Sequence, residues 1–341
     1  MSGSTRLIAV VGGIAAGAVA GTVALLLLMP AVRPSGDGTR PAPPAVTPPA
    51  ANASGVPAVG SEPVQANGPA ALAPAASAVD PAALQRLLES SAEELPGKVA
   101  IHVRIDGGPE AGVLANEQMR AASVIKLPLL AVLFAAWESG LVKRTSADLE
   151  RARKMITQSA NPEADALIRR LGMDRVNDWL DNHGYTGTEL RHLLLGERPR
   201  GENVVSAAEM TRMLLEIGRG ELVSPAASAE MRQILQAQTR RTRIPAGLPE
   251  EAVVGNKTGT LNGVVNDVAL VEAPGLPRYA IAVLNEGGSD VATSRRIAEL
   301  SRKVYQLLRS SAAPESASGN GPSSAAPESG SGTAPPAGNR P

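Results

Sequence analysis

The placement of the strand patterns constrains the fold more than any other feature. "KVAIHVRI" at 98–105 alternates apolar with polar residues before a Gly-Gly turn, and comparable runs return only at 252–260, 266–273 and 278–285. Between them, from Ser123 to about Glu250, the spacing is helical almost throughout, with breaks expected at Gly140, Asn161, Gly172, Gly184, Gly218 and Pro225. A helix over 80–95 opens the domain, with Asp80 at the N-cap and Pro81 at N1, and an amphipathic helix over 292–310 closes it. The two ends are therefore expected to share one antiparallel sheet. The resulting class is α+β: an antiparallel sheet flanked by helices, with an all-helical lobe inserted between its parts and a cleft where the lobes meet.

Outside 80–311 the composition changes. After a short N-terminal segment, 1–6, residues 7–29 ("LIAVVGGIAAGAVAGTVALLLLM") carry no charge and are long enough to cross a bilayer as a helix. A cleaved signal peptide is the competing reading, but the apolar core is longer than usual and the small-residue site "AVA" lies inside it. A transmembrane anchor followed by an exported domain is expected. Residues 30–79 are rich in Pro and Ala and read as a disordered linker. Residues 312–341 repeat that character, including "SAAPES" twice, and read as a disordered tail without chemistry.

Whole function classes drop out on composition. The chain has no cysteine, which excludes disulfides, thiolate metal sites and a cysteine nucleophile. Lys+Arg and Asp+Glu are both 33 and aromatics are 2%, so the basic, stacking footprint of a nucleic-acid binder is missing. The three histidines, His102, His183 and His192, show no metal-ligand spacing, and no metal or cofactor is expected.

Three short motifs remain. In "AASVIKLPLLAV", Lys126 follows Ser123 by three residues, so on a helix its amine reaches the hydroxyl, and apolar neighbours would desolvate it into a usable base. The same letters also fit a serine N-cap followed by a surface lysine. In "TQSANPEADAL", Asn161, Pro162 and Glu163 read as a helix start with Asn as cap, leaving Ser159 and Asn161 two residues apart on a tight turn. Lys257-Thr258-Gly259-Thr260 ends a predicted strand with a cation, a hydroxyl and a flexible backbone, suited to a carboxylate and a developing oxyanion, or simply to ending a hairpin strand.

In this order, S-x-x-K, S-x-N and K-T-G form the active-site set of the penicillin-recognising serine enzymes, and over roughly 80–310 the chain resembles the class A β-lactamases and their relatives. The resemblance implies a serine hydrolase in which Ser123 attacks a β-lactam or acyl-D-alanine peptide to form an acyl-enzyme and Lys126 takes or relays its proton. Ser159 would pass a proton to the leaving nitrogen, and Asn161 would orient the substrate amide and Lys126. Lys257 and Thr258 would hold the substrate carboxylate, and the N–H groups of Ser123 and Thr260, beside Gly259, would form the oxyanion hole. The implied partners are a small β-lactam or cell-wall peptide and, through 7–29, a membrane. The working unit is taken to be an extracytoplasmic monomer.

The resemblance also has gaps. The family's deacylating glutamate, followed by Pro and then Asn, has no match in "GTELRHLLLGERPRGENVVSAAEM" at 187–210; its place falls near Leu194, with Glu189, Glu197 and Glu202 as substitutes. The segment between S-x-x-K and S-x-N is shortened, which implies a more open cleft. The family's carboxylate-binding arginine is replaced near Asn266, and Arg240 or Arg241 would have to supply that charge. A D-Ala-D-Ala peptidase, another amidase or esterase, or a slowly turning-over peptidoglycan-binding module are the alternatives. A histidine base using His192 is disfavoured because lysine already serves the serine.

Overall fold

The computed structural model describes residues 79–312. Asp80 caps the first helix, α1 (Pro81–Glu93), by accepting from Ala82 N at 2.9 Å, and Leu84 and Leu88 form its buried stripe. The chain then forms β1 (Lys98–Ile105), β2 (Glu110–Val113) and the short β3 (Met119–Arg120). A 3₁₀ turn, Ala122–Ile125, leads into α2 (Lys126–Glu138), followed by α3 (Ser146–Thr157), α4 (Asn161–Leu171) and α5 (Met173–Asn182). After β4 (Val204–Val205) come α6 (Ala207–Arg219) and α7 (Pro225–Gln236), and the domain ends with β5 (Val253–Leu261), β6 (Val264–Glu272), β7 (Tyr279–Glu286) and α8 (Asp290–Ala312).

The early strand joins the late ones as expected. The five-stranded sheet runs β2-β1-β7-β6-β5, and β1 pairs antiparallel with β7 from Lys98 opposite Glu286 to Ile105 opposite Tyr279. Period-two alternation splits the sheet residues between two cores. Ala100, Val268, Leu270, Ala280, Ala282 and Leu284 face the helical lobe, while Ile101, Val103, Val271, Ile281 and Val283 face α1 and α8. Eleven of the thirteen residues of α2 are buried, which explains its apolar run: the helix crosses the centre of the lobe and has no solvent face.

Several expected boundaries shift for physical reasons. Gly218 does not break α6; it is buried inside it, where a Cβ would meet Arg278 Cδ at 2.7 Å, so its small size lets helix and sheet approach. The helix ends instead on Gly220, in the left-handed conformation that suits glycine. The helical stretch is also interrupted more than expected, since 183–206 is irregular apart from β4. The proposed membrane span and both low-complexity flanks lie outside the described residues, apart from Val79 and Ala312. Among the described residues, no helix is long and apolar enough to cross a membrane.

Candidate active site

Ser123 reaches the cleft because the segment before it is braced on every side. β3 pairs with β4, Arg120 N donates to Glu286 Oε1 at 2.7 Å, and Ala121 N donates to the Asn203 carbonyl at 2.7 Å. Asn266, fully buried, donates from Nδ2 to the Arg120 and Ala121 carbonyls at 2.8 and 3.2 Å. Ala122 takes φ 48° and Ser159 takes φ 60°, a left-handed geometry that costs a side-chain-bearing residue about 1–2 kcal/mol. Backbone strain thus sits on both segments that carry the motif serines.

Lys126 begins α2 and is fully buried, which removes the surface-lysine reading. Its Nζ donates to the Ser159 carbonyl at 2.8 Å and to Asn161 Oδ1 at 2.6 Å, and lies 3.1 Å from Ser123 Oγ. Both of the first two partners are acceptors, so they take two N–H bonds in either protonation state. The remaining position, toward Ser123, is an N–H in the ammonium and a lone pair in the amine. Burial lowers the Lys126 pKa to about 8; the Asp165 carboxylate opposes that shift and the Arg240 charge adds to it. A lysine held near neutral pH with its lone pair aimed at a hydroxyl can act as a general base.

Asn161 is the first residue of α4, not its cap. Ala160 occupies the cap without a side-chain bond, and the Asn161 amide is left to serve Lys126. Lys257, on β5 and fully buried, donates to Ser159 Oγ at 3.1 Å, so Ser159 lies between the two amines. Burial, and next the charge of Lys126, press the Lys257 pKa well below its ordinary value. β5 is an edge strand, paired only with β6, and part of its backbone is free toward the cleft. Gly259 fits there because a Cβ would meet the Ala121 carbonyl oxygen at 2.8 Å. Thr258 is buried beside it, and Thr260 is exposed.

Arg240 and Arg241 are exposed, and the Arg240 charge lowers the pKa of both motif lysines. Arg241 donates to the Val254 carbonyl at 3.3 Å. The arginine that holds β5 is Arg243, in the same "TRRTR" run. It is 4% exposed and donates to the Gly259 carbonyl at 2.9 Å, the Asn266 carbonyl at 2.5 Å, Thr260 Oγ1 and Asp290 Oδ1 at 2.6 Å, and Ser294 Oγ at 3.0 Å. Below Lys257, the buried Asp267 accepts from Ile244 N at 3.0 Å and Asn256 Nδ2 at 2.9 Å; burial raises its pKa to about 6.

A cleft of about 90 Å³ beside Ser123 is walled by Asn161, Leu194, Thr260 and the irregular 191–203 segment. Asp165 sets that wall, accepting from Leu194 N at 2.6 Å and Leu195 N at 3.1 Å. Of the three loop glutamates, Glu202 lines the cleft; Glu189 pairs with Arg191 at 2.7 Å and Glu197 is exposed. His192 also lines it, whereas His102 is buried against Thr211 with its pKa lowered to about 4 by burial, and His183 stacks on Trp179. A larger hollow of about 300 Å³ over Phe134, Trp137 and Arg144 contains none of the motif residues.

The chain matches the model of a family described as the beta-lactamase enzyme family over residues 82–148 and 149–308. Among solved structures it is similar to a beta-lactamase from Sphaerobacter thermophilus, at 24% identity and TM-score 0.62, covering 68% of this chain and 98% of that one. It is also similar to PBP-A, at 26% identity and TM-score 0.61, covering 67% and 97%. A mutant of PBP-A in acyl-enzyme complex with penicillin G matches at 27% identity and TM-score 0.60, covering 66% and 96%. No curated protein matches.

Proposed function

The chain belongs to the beta-lactamase enzyme family, and from that premise we propose that it is a serine hydrolase acylated at Ser123 by β-lactams or related cell-wall peptides. The observation that carries this reading is the Lys126 amine, buried, held by two acceptors and facing Ser123 Oγ at 3.1 Å. Lys126 takes the hydroxyl proton as Oγ bonds to the substrate carbonyl carbon. The oxyanion is received by the N–H groups of Ser123 and Thr260. Ser159, between two amines, passes a proton to the leaving nitrogen, and Lys257 with Thr258 holds the substrate carboxylate, assisted by Arg240. The catalytic unit acts as a monomer outside the cytoplasm, tethered through residues 7–29.

One observation favours a second reading, a D-Ala-D-Ala peptidase or related amidase with a long-lived lactam adduct. Leu194, not a carboxylate, occupies the cleft wall where the family's deacylating glutamate is expected. Similarity to PBP-A, which includes a penicillin G acyl-enzyme of its mutant, agrees with that reading.

The test is intact-mass spectrometry of the full chain over time after adding a penicillin, with Ser123→Ala alongside. One adduct on the parent and none on the variant is expected, and its lifetime separates the two readings. Absence of both adduct and lactam consumption overturns both.

A further inference from the structure

We infer that the cleft beside Ser123 carries a subsite for an acyl side chain ending in an α-amino acid head group, an ammonium and a carboxylate on one carbon. This rests on the reading of Ser123 as the acylated nucleophile. Lys257 and Thr258 do not line this cleft, whereas Thr260 and Leu261, farther along β5, do. At about 3.3 Å per strand residue, Lys257 and Leu261 are roughly 13 Å apart. Ser123 lines this cleft, whereas Lys257, which bonds Ser159 Oγ at 3.1 Å, does not, and on that ground the cleft is assigned to the acyl side of Ser123.

Its wall offers an ion pair whose outer valences are open. Arg198 Nη1 donates to Glu202 Oε1 at 2.7 Å, which engages one of the five guanidinium N–H groups, and the Arg198 side chain is 45% exposed. Glu202 Oε2 faces His192 Nε2 at 3.5 Å. His192 Nδ1 lies 2.6 Å from the Leu193 carbonyl, which can only accept, so Nδ1 carries the ring proton. In the neutral imidazole Nε2 is then an acceptor, and it takes the Asn203 N–H at 3.3 Å. With the imidazole in that neutral form, Glu202 Oε2 meets a lone pair, not a donor, and no hydrogen bond reaches it from the described residues.

An anion with an unfilled valence beside a cation with spare N–H groups matches a zwitterion. The ligand ammonium occupies Glu202 Oε2 and its carboxylate docks on the outer edge of Arg198, leaving the 2.7 Å pair intact. Because the pair is neutral overall, a lone anion or a phenyl-type side chain gains little from it.

The experiment measures acylation rate constants of the full chain by intact mass with three penicillins sharing one nucleus. They are penicillin N, whose side chain ends in an α-amino acid, its N-acetyl derivative, and penicillin V with a phenoxymethyl group. Penicillin N is expected to react at least ~10-fold faster than its N-acetyl form, the effect of one charge-assisted hydrogen bond. That ratio, taken within each protein so that any general loss cancels, collapses toward one in Glu202→Gln. In Arg198→Gln the advantage of penicillin N over penicillin V shrinks. A ratio near one in the parent, or a ratio unchanged in Glu202→Gln, overturns the subsite while leaving Ser123 acylation standing. No adduct with any of the three removes the nucleophile assignment and the subsite with it.

Discussion

Asn161 Oδ1 lies 2.6 Å from Lys126 Nζ, where it accepts an N–H and, with the Ser159 carbonyl, orients the third position of the nitrogen toward Ser123. A local preference was given up for that contact. Asparagine is a favoured helix cap, yet here the cap is Ala160 and the amide of Asn161 is turned inward.

The arrangement fixes the sign of the pH dependence. In the proposed mechanism the active form is the neutral amine, and burial lowers the Lys126 pKa to about 8. Acylation should therefore rise about tenfold per pH unit below 8 and level above it, since the neutral fraction sets the rate. Asn161→Asp places an anion against the nitrogen, which favours the ammonium and raises its pKa by about 1–3 units. The rising limb should move up by the same amount. Acylation rates against pH for both proteins check this, and an unmoved limb would mean that Lys126 is not the base.

Leu194→Glu should shorten the life of a penicillin adduct. The Leu194 backbone is held by Asp165 at 2.6 Å whatever its side chain, and the residue lines the cleft with Ser123. A carboxylate there can activate water, and general-base assistance is worth about 10²–10⁴ in rate. A carboxylate partly withdrawn from water is penalised, so a lower melting temperature should accompany the gain. The decay of the adduct mass is the measurement, and an equal lifetime in both proteins would place the deacylating water elsewhere.

The parts legible in the sequence were those carried by local pattern. β1 was bounded correctly and the three late strands to within two residues, because short apolar runs between turn residues mark strands; that both faces of the sheet are buried, one against each core, was not legible from the polar positions of β1. The motif lysines could be singled out as cations in apolar surroundings. Arg243, Asn266 and Asp165 could not, because these partners lie 16–51, 145–146 and 29–30 residues away and nothing in their immediate neighbours marks them as buried. One signal was available for Arg243: it is the arginine of "TRRTR" that immediately precedes an apolar residue and proline.

Arg243→Lys should cost about 2–4 kcal/mol, because a lysine has three donors on one nitrogen and cannot reach acceptors on β5, β6 and α8 together. The Gly259 and Asn266 carbonyls are the acceptors left unpaired in a buried place, whereas Asp290, with 62% of its side chain exposed, regains water. Urea unfolding measures the loss. Acylation should fall as well, since Thr260 loses the contact that fixes its hydroxyl. A variant as stable as the parent would show that the five bonds are replaceable by solvent.

Gly259→Ala tests whether the distance between β5 and the Ser123 turn matters to the chemistry apart from stability. The added methyl would meet the Ala121 carbonyl oxygen at 2.8 Å and Ala122 Cβ and Val124 Cγ2 at 3.1 Å, so no flexible side-chain end is available to yield at the closest contact. Either the edge strand moves out by a few tenths of an ångström or the turn moves back. Both displacements separate Thr260 N from Ser123 N, the two groups proposed to receive the oxyanion. Losing one such donor lowers a rate by about 10²–10³. Overpacking costs about 1–3 kcal/mol in stability, which a folded domain can absorb. The variant should therefore remain folded by circular dichroism, bind substrate anion through Lys257, and acylate at least ~10²-fold more slowly. If it acylates at the parent rate while its melting temperature falls, the oxyanion is stabilised by groups other than the β5 edge.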